Sequence, residues 1–156
     1  MSKITPFLWF DNNLGEAIKF YTSIFKDSKV NGQSTLTGVT EGPVATVTTA
    51  EFELAGQKFM GLNGGPMFKF TEAISLFVSC DNQAEIDYYW NALTADGGQE
   101  SRCGWLKDKF GLSWQIIPAN LGKFLGNSDP AKAKKAMQAM LQMNKMNIAV
   151  FEEAVK

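Results

Sequence analysis

Histidine is absent from the 156 residues. This excludes Ser-His-Asp and Cys-His nucleophilic sites and every metal site that needs an imidazole ligand. It also removes the side chain best matched to proton transfer near neutral pH. Cysteine is scarce as well: Cys80 and Cys103 are too few for a disulfide framework. No stretch approaches the roughly 18 uninterrupted apolar residues of a membrane span. Met1 to Phe10 lacks the basic start and long apolar run of a signal peptide, so the cytoplasm is the expected compartment. An excess of one charge is missing too. With 15 Lys and Arg against 16 Asp and Glu, the formal net charge is −1, which gives no electrostatic basis for a nucleic-acid or anionic-membrane partner.

What is present is ordinary for a globular chain: 45% hydrophobic and 20% charged residues. The length suits a single domain, 1–156, and is enough to bury a core without covalent staples. Ile4 to Phe10 is short, apolar and aromatic, as in a strand. Asn13 and Glu16 have the spacing of a capping box, and Leu14, Ala17, Ile18, Phe20, Tyr21 and Ile24 follow at helical spacing, predicting a helix over Leu14 to Phe25. Val30 to Thr37 and Val44 to Leu54 are strand candidates around a loop at Gly38 to Pro43. Ala55-Gly56 is a tight turn, and Gln57 to Asn63 returns as a further strand.

The order then recurs. Ala73 to Cys80 is a strand. Asp81 or Asn82 caps a helix whose buried stripe is Ile86, Tyr89, Trp90 and Leu93. Gly97-Gly98 stops it, and Gln99 to Cys103, Trp105 to Lys109 and Leu112 to Ile117 are three more short strands. Strand-helix-strand-strand-strand thus occurs twice, over 1–66 and 67–120, although the halves share little identity. The fold class is α+β. In the tail, 121–156, Asp129-Pro130 starts a helix with Ala133, Met137, Met140 and Leu141 on one face. Its methionines fit packing on the domain or on a dimer mate better than a sticky partner groove.

The runs Phe7-Leu8-Trp9-Phe10, Ala17-Ile18-Lys19-Phe20-Tyr21, Phe59 to Pro66, Cys103 to Gly111 and Ser113 to Pro118 resemble the PhnB-like family. Members often carry the label 3-demethylubiquinone 3-methyltransferase. That family belongs to the vicinal oxygen chelate superfamily, with glyoxalase I, bleomycin-resistance proteins and ring-cleaving dioxygenases. The resemblance implies two βαβββ modules forming a curved mixed sheet around a cleft, followed by a C-terminal helix. It also implies a homodimer. In metal-dependent members, His and Glu on the first and fourth strands of each module hold a divalent ion. An ungapped count places Pro6, Met60, Ala73 and Gln115 at those positions. Three of them cannot ligate a hard cation, and Gln115 offers one neutral oxygen. Neither metal nor cofactor is therefore expected. The methyltransferase label lacks local support, because Phe10 to Gly15 holds no glycine-rich turn.

Strand parity gives the candidate site. Pro6, Leu8 and Phe10 share one face, as do Ala73, Ser75 and Phe77, and Ser113, Gln115 and Ile117. With the former ligand positions facing inward, Leu8, Phe10, Met60, Asn63, Ser75, Phe77, Ser113 and Gln115 are the candidate binding residues. This apolar and aromatic lining with sparse polar points suits a small organic ligand, and equally a filled core. Cys103 is the one nucleophile candidate. It needs Lys107 or a helix terminus for activation, and a buried structural cysteine is the simpler reading. Lys107 and Asp108 read as a solvated hairpin tip. Gly61, Gly64 and Gly65 do not form a phosphate loop, and Trp90 and Trp114 read as core.

Three functional readings follow. The first is a metal-independent protein binding a small apolar or aromatic molecule. The second is a lyase, isomerase or transferase using Gln115, Ser75 or Cys103. The third is a non-catalytic dimeric interaction protein with a filled cleft. Whether the chain is an enzyme is left open by the sequence.

Overall fold

A computed structural model describes residues 2–37 and 46–156. The expected loop at Gly38 to Pro43 and the first residues of the strand expected from Val44 lie outside them. The chain divides into two compact units, Met1–Lys69 and Phe70–Lys156.

The first unit runs β1 (Phe7–Phe10), α1 (Leu14–Ile24), β2 (Lys29–Thr37), β3 (Thr46–Leu54) and β4 (Gln57–Asn63). Its four strands are ordered β1-β4-β3-β2, with β1 parallel to β4 and the other pairs antiparallel. The helix forms because Leu14, Ala17, Ile18, Tyr21 and Ile24 recur on one face, and all five are buried. Gly61 permits its close approach: a Cβ there would lie 2.6 Å from Leu14 Cδ1. Asn13 makes no side-chain cap. Instead Asn63, arriving on β4, accepts from the Leu14 N–H at 2.8 Å. Ala55 and Gly56 both have positive φ, 48° and 80°, as a two-residue hairpin turn between β3 and β4 requires.

The second unit runs β5 (Ser75–Cys80), α2 (Gln83–Thr94), β6 (Gln99–Glu100), β7 (Trp105–Lys107), β8 (Ser113–Pro118), α3 (Leu121–Leu125), α4 (Pro130–Met140) and α5 (Ile148–Ala154). Its sheet has the corresponding order, β5-β8-β7-β6, with β5 parallel to β8. Together the units hold two four-stranded mixed sheets with helices, an α+β fold. Asn82 caps α2 by accepting from Glu85 N at 2.9 Å, and Glu85 accepts in return from Asp81 N at 2.7 Å. The α2 stripe Ile86, Trp90 and Leu93 is buried over the sheet, whose Leu106, Trp114 and Ile116 are also buried. Trp90 and Trp114 are thus core residues.

Three sequence expectations need correction. The strand expected over Gln99 to Cys103 is only two residues long, because Cys103 has φ 58° and Gly104 φ 83°, a left-handed turn incompatible with a strand. Asp108 is 2% exposed rather than solvated. Its carboxyl accepts from Phe110 N at 2.9 Å, Leu112 N at 3.1 Å and Trp114 Nε1 at 2.9 Å, so it ties together the hairpin between β7 and β8. The tail holds three helices, not the single C-terminal helix expected. Its central one starts at Asp129, which accepts from Ala131 N at 3.0 Å. Among the described residues, no helix is long and apolar enough to cross a membrane.

Candidate ligand pocket

In the second sheet, the register sets Phe77 beside Gln115 and Gln115 beside Trp105. These three form one row across β5, β8 and β7, on the face opposite α2, because Trp114 and Ile116 alternate with Gln115 and lie under the helix. The next row is Ser75, Ser113 and Lys107. Between the rows, Gln115 Nε2 donates to Ser75 Oγ at 2.9 Å. The Gln115 carbonyl oxygen has no protein partner among the described residues.

A cavity of about 440 Å³ stands on the first row. Phe77, Cys103, Trp105 and Gln115 line one part of it and Leu121, Leu125, Met140 and Met146 of the tail another, and the cavity is open to solvent, with Phe77 62% exposed. No charged side chain lines it. Its volume falls in the usual range of small-molecule sites, about 300–1,000 Å³, and its few polar points are the Gln115 amide, the Cys103 thiol and Ser79. A smaller and more polar recess of about 240 Å³ lies beside Glu72, Ser101, Trp105, Lys107 and Ser113. Ser113 Oγ is buried there without a partner.

The predicted residues divide accordingly. Phe77 and Gln115 line the pocket, while Ser75, hydrogen-bonded to Gln115, and Ser113 lie in the adjoining row. Leu8 and Phe10 do not line an open face. Leu8 pairs with Gly61, the glycine under Leu14, so both residues are buried beneath α1. The parity assumed for β1 is off by one. Phe7, Trp9, Met60 and Leu62 occupy the other face of that sheet, with Met60 beside Phe7. There Trp9 donates to Gly65 O at 2.9 Å and meets Phe68 edge-on at 4.9 Å. Asn63 is committed to capping α1.

Cys103 is a free thiol in the pocket wall, and its Sγ donates to Met140 O at 3.6 Å. Lys107 does not activate it, being ion-paired with Glu72. That pairing holds the Glu72 carboxyl below its usual range. Trp105 and the tail residues were missed by sequence reasoning. The parity of β7 against β8 was a usable signal for Trp105; nothing local marked Leu121, Leu125, Met140 and Met146.

At the positions that the ungapped count assigns to the metal ligands of metal-dependent superfamily members, Pro6, Met60, Ala73 and Gln115 supply a single neutral amide oxygen, a donor set that does not fit a divalent cation. Among the described residues, no group of three His, Cys, Asp or Glu side chains is placed to hold a metal ion.

The sequence profile of the 3-demethylubiquinone-9 3-methyltransferase family matches residues 2–117. The chain belongs to this PhnB-like family. A PhnB protein from Bacillus cereus is 36% identical over 76% of this chain and 100% of that one, with a TM-score of 0.66. A Pseudomonas aeruginosa protein is 20% identical over 75% of this chain and 96% of its own, with a TM-score of 0.54. The fosfomycin resistance protein FosX from Listeria monocytogenes, solved with Mn(II) and sulfate, shares the fold. It is 15% identical over 73% of this chain and 89% of its own, with a TM-score of 0.52. No curated protein sequence matches the chain. The two less identical structures show a shared fold alone.

Proposed function

We propose that this PhnB-like protein works without a metal and binds a small apolar or aromatic molecule in the pocket of its second unit. The carrying observation is the uncharged cavity over Phe77, Gln115 and Trp105, with one amide oxygen unpartnered in its wall. Apolar walls favour a ring system, and the amide oxygen favours a hydroxyl or N–H on it. Trp105 and Phe77 supply aromatic surface for stacking. The lining carries no carboxylate, ammonium or imidazole, the groups that move protons in enzymes. This supports binding over acid–base catalysis. The family's methyltransferase name is not adopted for this chain, since Phe10 to Gly15 leads from β1 into α1 without a glycine-rich turn.

The test is a titration with 2-naphthol, with naphthalene as the apolar control, followed by tryptophan fluorescence. It is paired with native mass spectrometry of the protein as purified. Saturable binding that favours the naphthol is expected. No saturable binding, together with no copurifying small molecule, would sink the proposal.

We also propose that the chain forms a homodimer, which the exposed apolar side chains Phe7 and Ile74 support. A monomer mass by light scattering at micromolar concentration would refute it.

A further inference from the structure

The family profile ends at residue 117, and the whole Bacillus cereus chain is accommodated by 76% of this one. The tail residues that help line the pocket, Leu121, Leu125, Met140 and Met146, lie beyond residue 117. We infer that residues 121–146 are a specificity-determining roof, added to the family domain, that selects the size of an aromatic ligand. This inference rests on the pocket being the binding site.

The roof is fixed to the second unit, not loosely laid over it. Cys103 N donates to Met143 O at 2.9 Å, and Gly104 N donates to Asn144 O at 2.8 Å. Gln83 on α2 grips the next stretch from both sides, donating to Met146 O at 3.0 Å and accepting from Ile148 N at 2.9 Å. Lys145 pairs with Asp87 at 2.8 Å. Behind these contacts, Phe124 and Phe151 stack at 5.3 Å, which ties α3 to α5.

The junction requires glycine at 104. With φ 83°, an added Cβ there would lie 2.9 Å from Ile116 O and 3.3 Å from Met146 Cε. Cys103, in the same left-handed turn, then carries its side chain into the pocket wall. The tail thereby brings Leu121, Leu125, Met140 and Met146 to the cavity of about 440 Å³ that Phe77, Gln115 and Trp105 also line. Without the roof that row is a bare sheet face, able to stack a ring but not to limit its length. Unbranched thioethers at Met140 and Met146 let the roof close on rings of different outline.

The experiment compares phenol, 2-naphthol and 1-hydroxypyrene on the full chain and on four variants. Leu125→Trp and Met140→Trp fill the space from above. The same substitution at Met137, exposed on α4 outside the pocket, is the control. Filling is expected to weaken 2-naphthol about ten-fold and phenol much less, the scale on which an apolar pocket discriminates by size. Met137→Trp leaves all three affinities unchanged. A double variant, Leu125→Ala with Met140→Ala, introduces no bulk and shifts preference toward 1-hydroxypyrene about five-fold on the same scale.

Thermal melting of each variant guards against misfolding, and the alanine pair keeps the test decisive if either tryptophan variant fails to fold. A wild-type protein that binds 2-naphthol, with variants of unchanged selectivity, overturns the roof. A wild-type protein that binds none of the three probes overturns the pocket reading instead.

Discussion

Gln115 Nε2 donates to Ser75 Oγ at 2.9 Å, joining β8 to the edge strand β5 beside the pocket. The bond assigns the two ends of the amide different tasks. The nitrogen is held by the protein, and under the proposed function the side-chain oxygen accepts from the ligand. Under the proposed binding role, Ser75 acts through Gln115 as a positioning residue.

Gln115→Ala removes the acceptor and is expected to lower the affinity for 2-naphthol about five-fold, one net hydrogen bond of about 1 kcal/mol. Naphthalene, which has no donor, should bind Gln115→Ala as well as it binds the native protein. Ser75→Ala frees the amide to rotate, so it should cost the naphthol less, and again spare naphthalene. Fluorescence titration of the two probes separates these effects. Equal losses for both probes would place the effect in packing and remove the role given to Gln115.

Asp108 carries the hairpin that presents β7 and β8. Asp108→Ala leaves two backbone N–H groups and the Trp114 indole N–H without their acceptor, at an expected cost of about 3 kcal/mol. Asp108→Asn keeps one oxygen for the backbone donors but sets an NH₂ group against the indole. It should fall between alanine and the native protein. Urea denaturation of the three proteins orders them. An Asp108→Ala protein as stable as the native one would show that the hairpin does not depend on this carboxyl.

The fold was legible wherever local chemistry and tertiary packing agree. Ala55-Gly56 marks the β3–β4 turn because both residues must take positive φ, and Asn82 with Glu85 marks the start of α2 by reciprocal capping. Alternation in β8 was legible for the same reason: Trp114 and Ile116 must go under a helix, so Ser113, Gln115 and Ile117 take the other face. In β1, counting from family ligand positions put Leu8 and Phe10 on the open side, whereas the contact between Leu14 and Gly61 decides the face. That contact joins residues far apart in sequence and leaves no local trace. Asp108 misled because a charged residue beside a turn is ordinarily solvated; its donors are its own hairpin's backbone and an indole six residues on. The left-handed turn at Cys103 was hidden as well, since a non-glycine there is held by the tail's carbonyls and not by its own propensity.

Asn63 shows how a residue read as a ligand contact can have a structural task. Its Oδ1 accepts from Leu14 N, satisfying a donor of the first turn of α1 that Asn13 leaves open. Asn63→Ala is expected to cost about 1 kcal/mol, the usual value of a helix cap. Asn63→Asp retains the acceptor and adds a negative charge at the helix N-terminus, so it should recover most of that loss. Denaturant midpoints test the pair. No loss in the alanine variant would mean that α1 is capped by solvent.

The two cysteines differ in a way that pH makes measurable. Cys80 is 1% exposed at the end of β5, and its thiol is pushed up to about 12, first by burial and then by the charges of Glu85 and Asp81. The unfolded chain loses this proton near the ordinary thiol value of about 9, while the folded chain keeps it. Cys80 thus favours the folded state fully below pH about 9, and that contribution is lost as pH rises from about 9 to about 12. Native stability should fall across this window, and a Cys80→Ala protein should fall less steeply, whatever its stability at pH 7. At pH 8 the same burial leaves Cys80 unreactive, so iodoacetamide should label only Cys103 in the folded protein and both thiols in urea. Saturating 2-naphthol should slow the labelling of Cys103, because that thiol lines the pocket. Parallel stability profiles for native and Cys80→Ala protein above pH 9 would refute the linkage. Labelling of Cys103 at an unchanged rate in saturating naphthol would refute its place in the binding site.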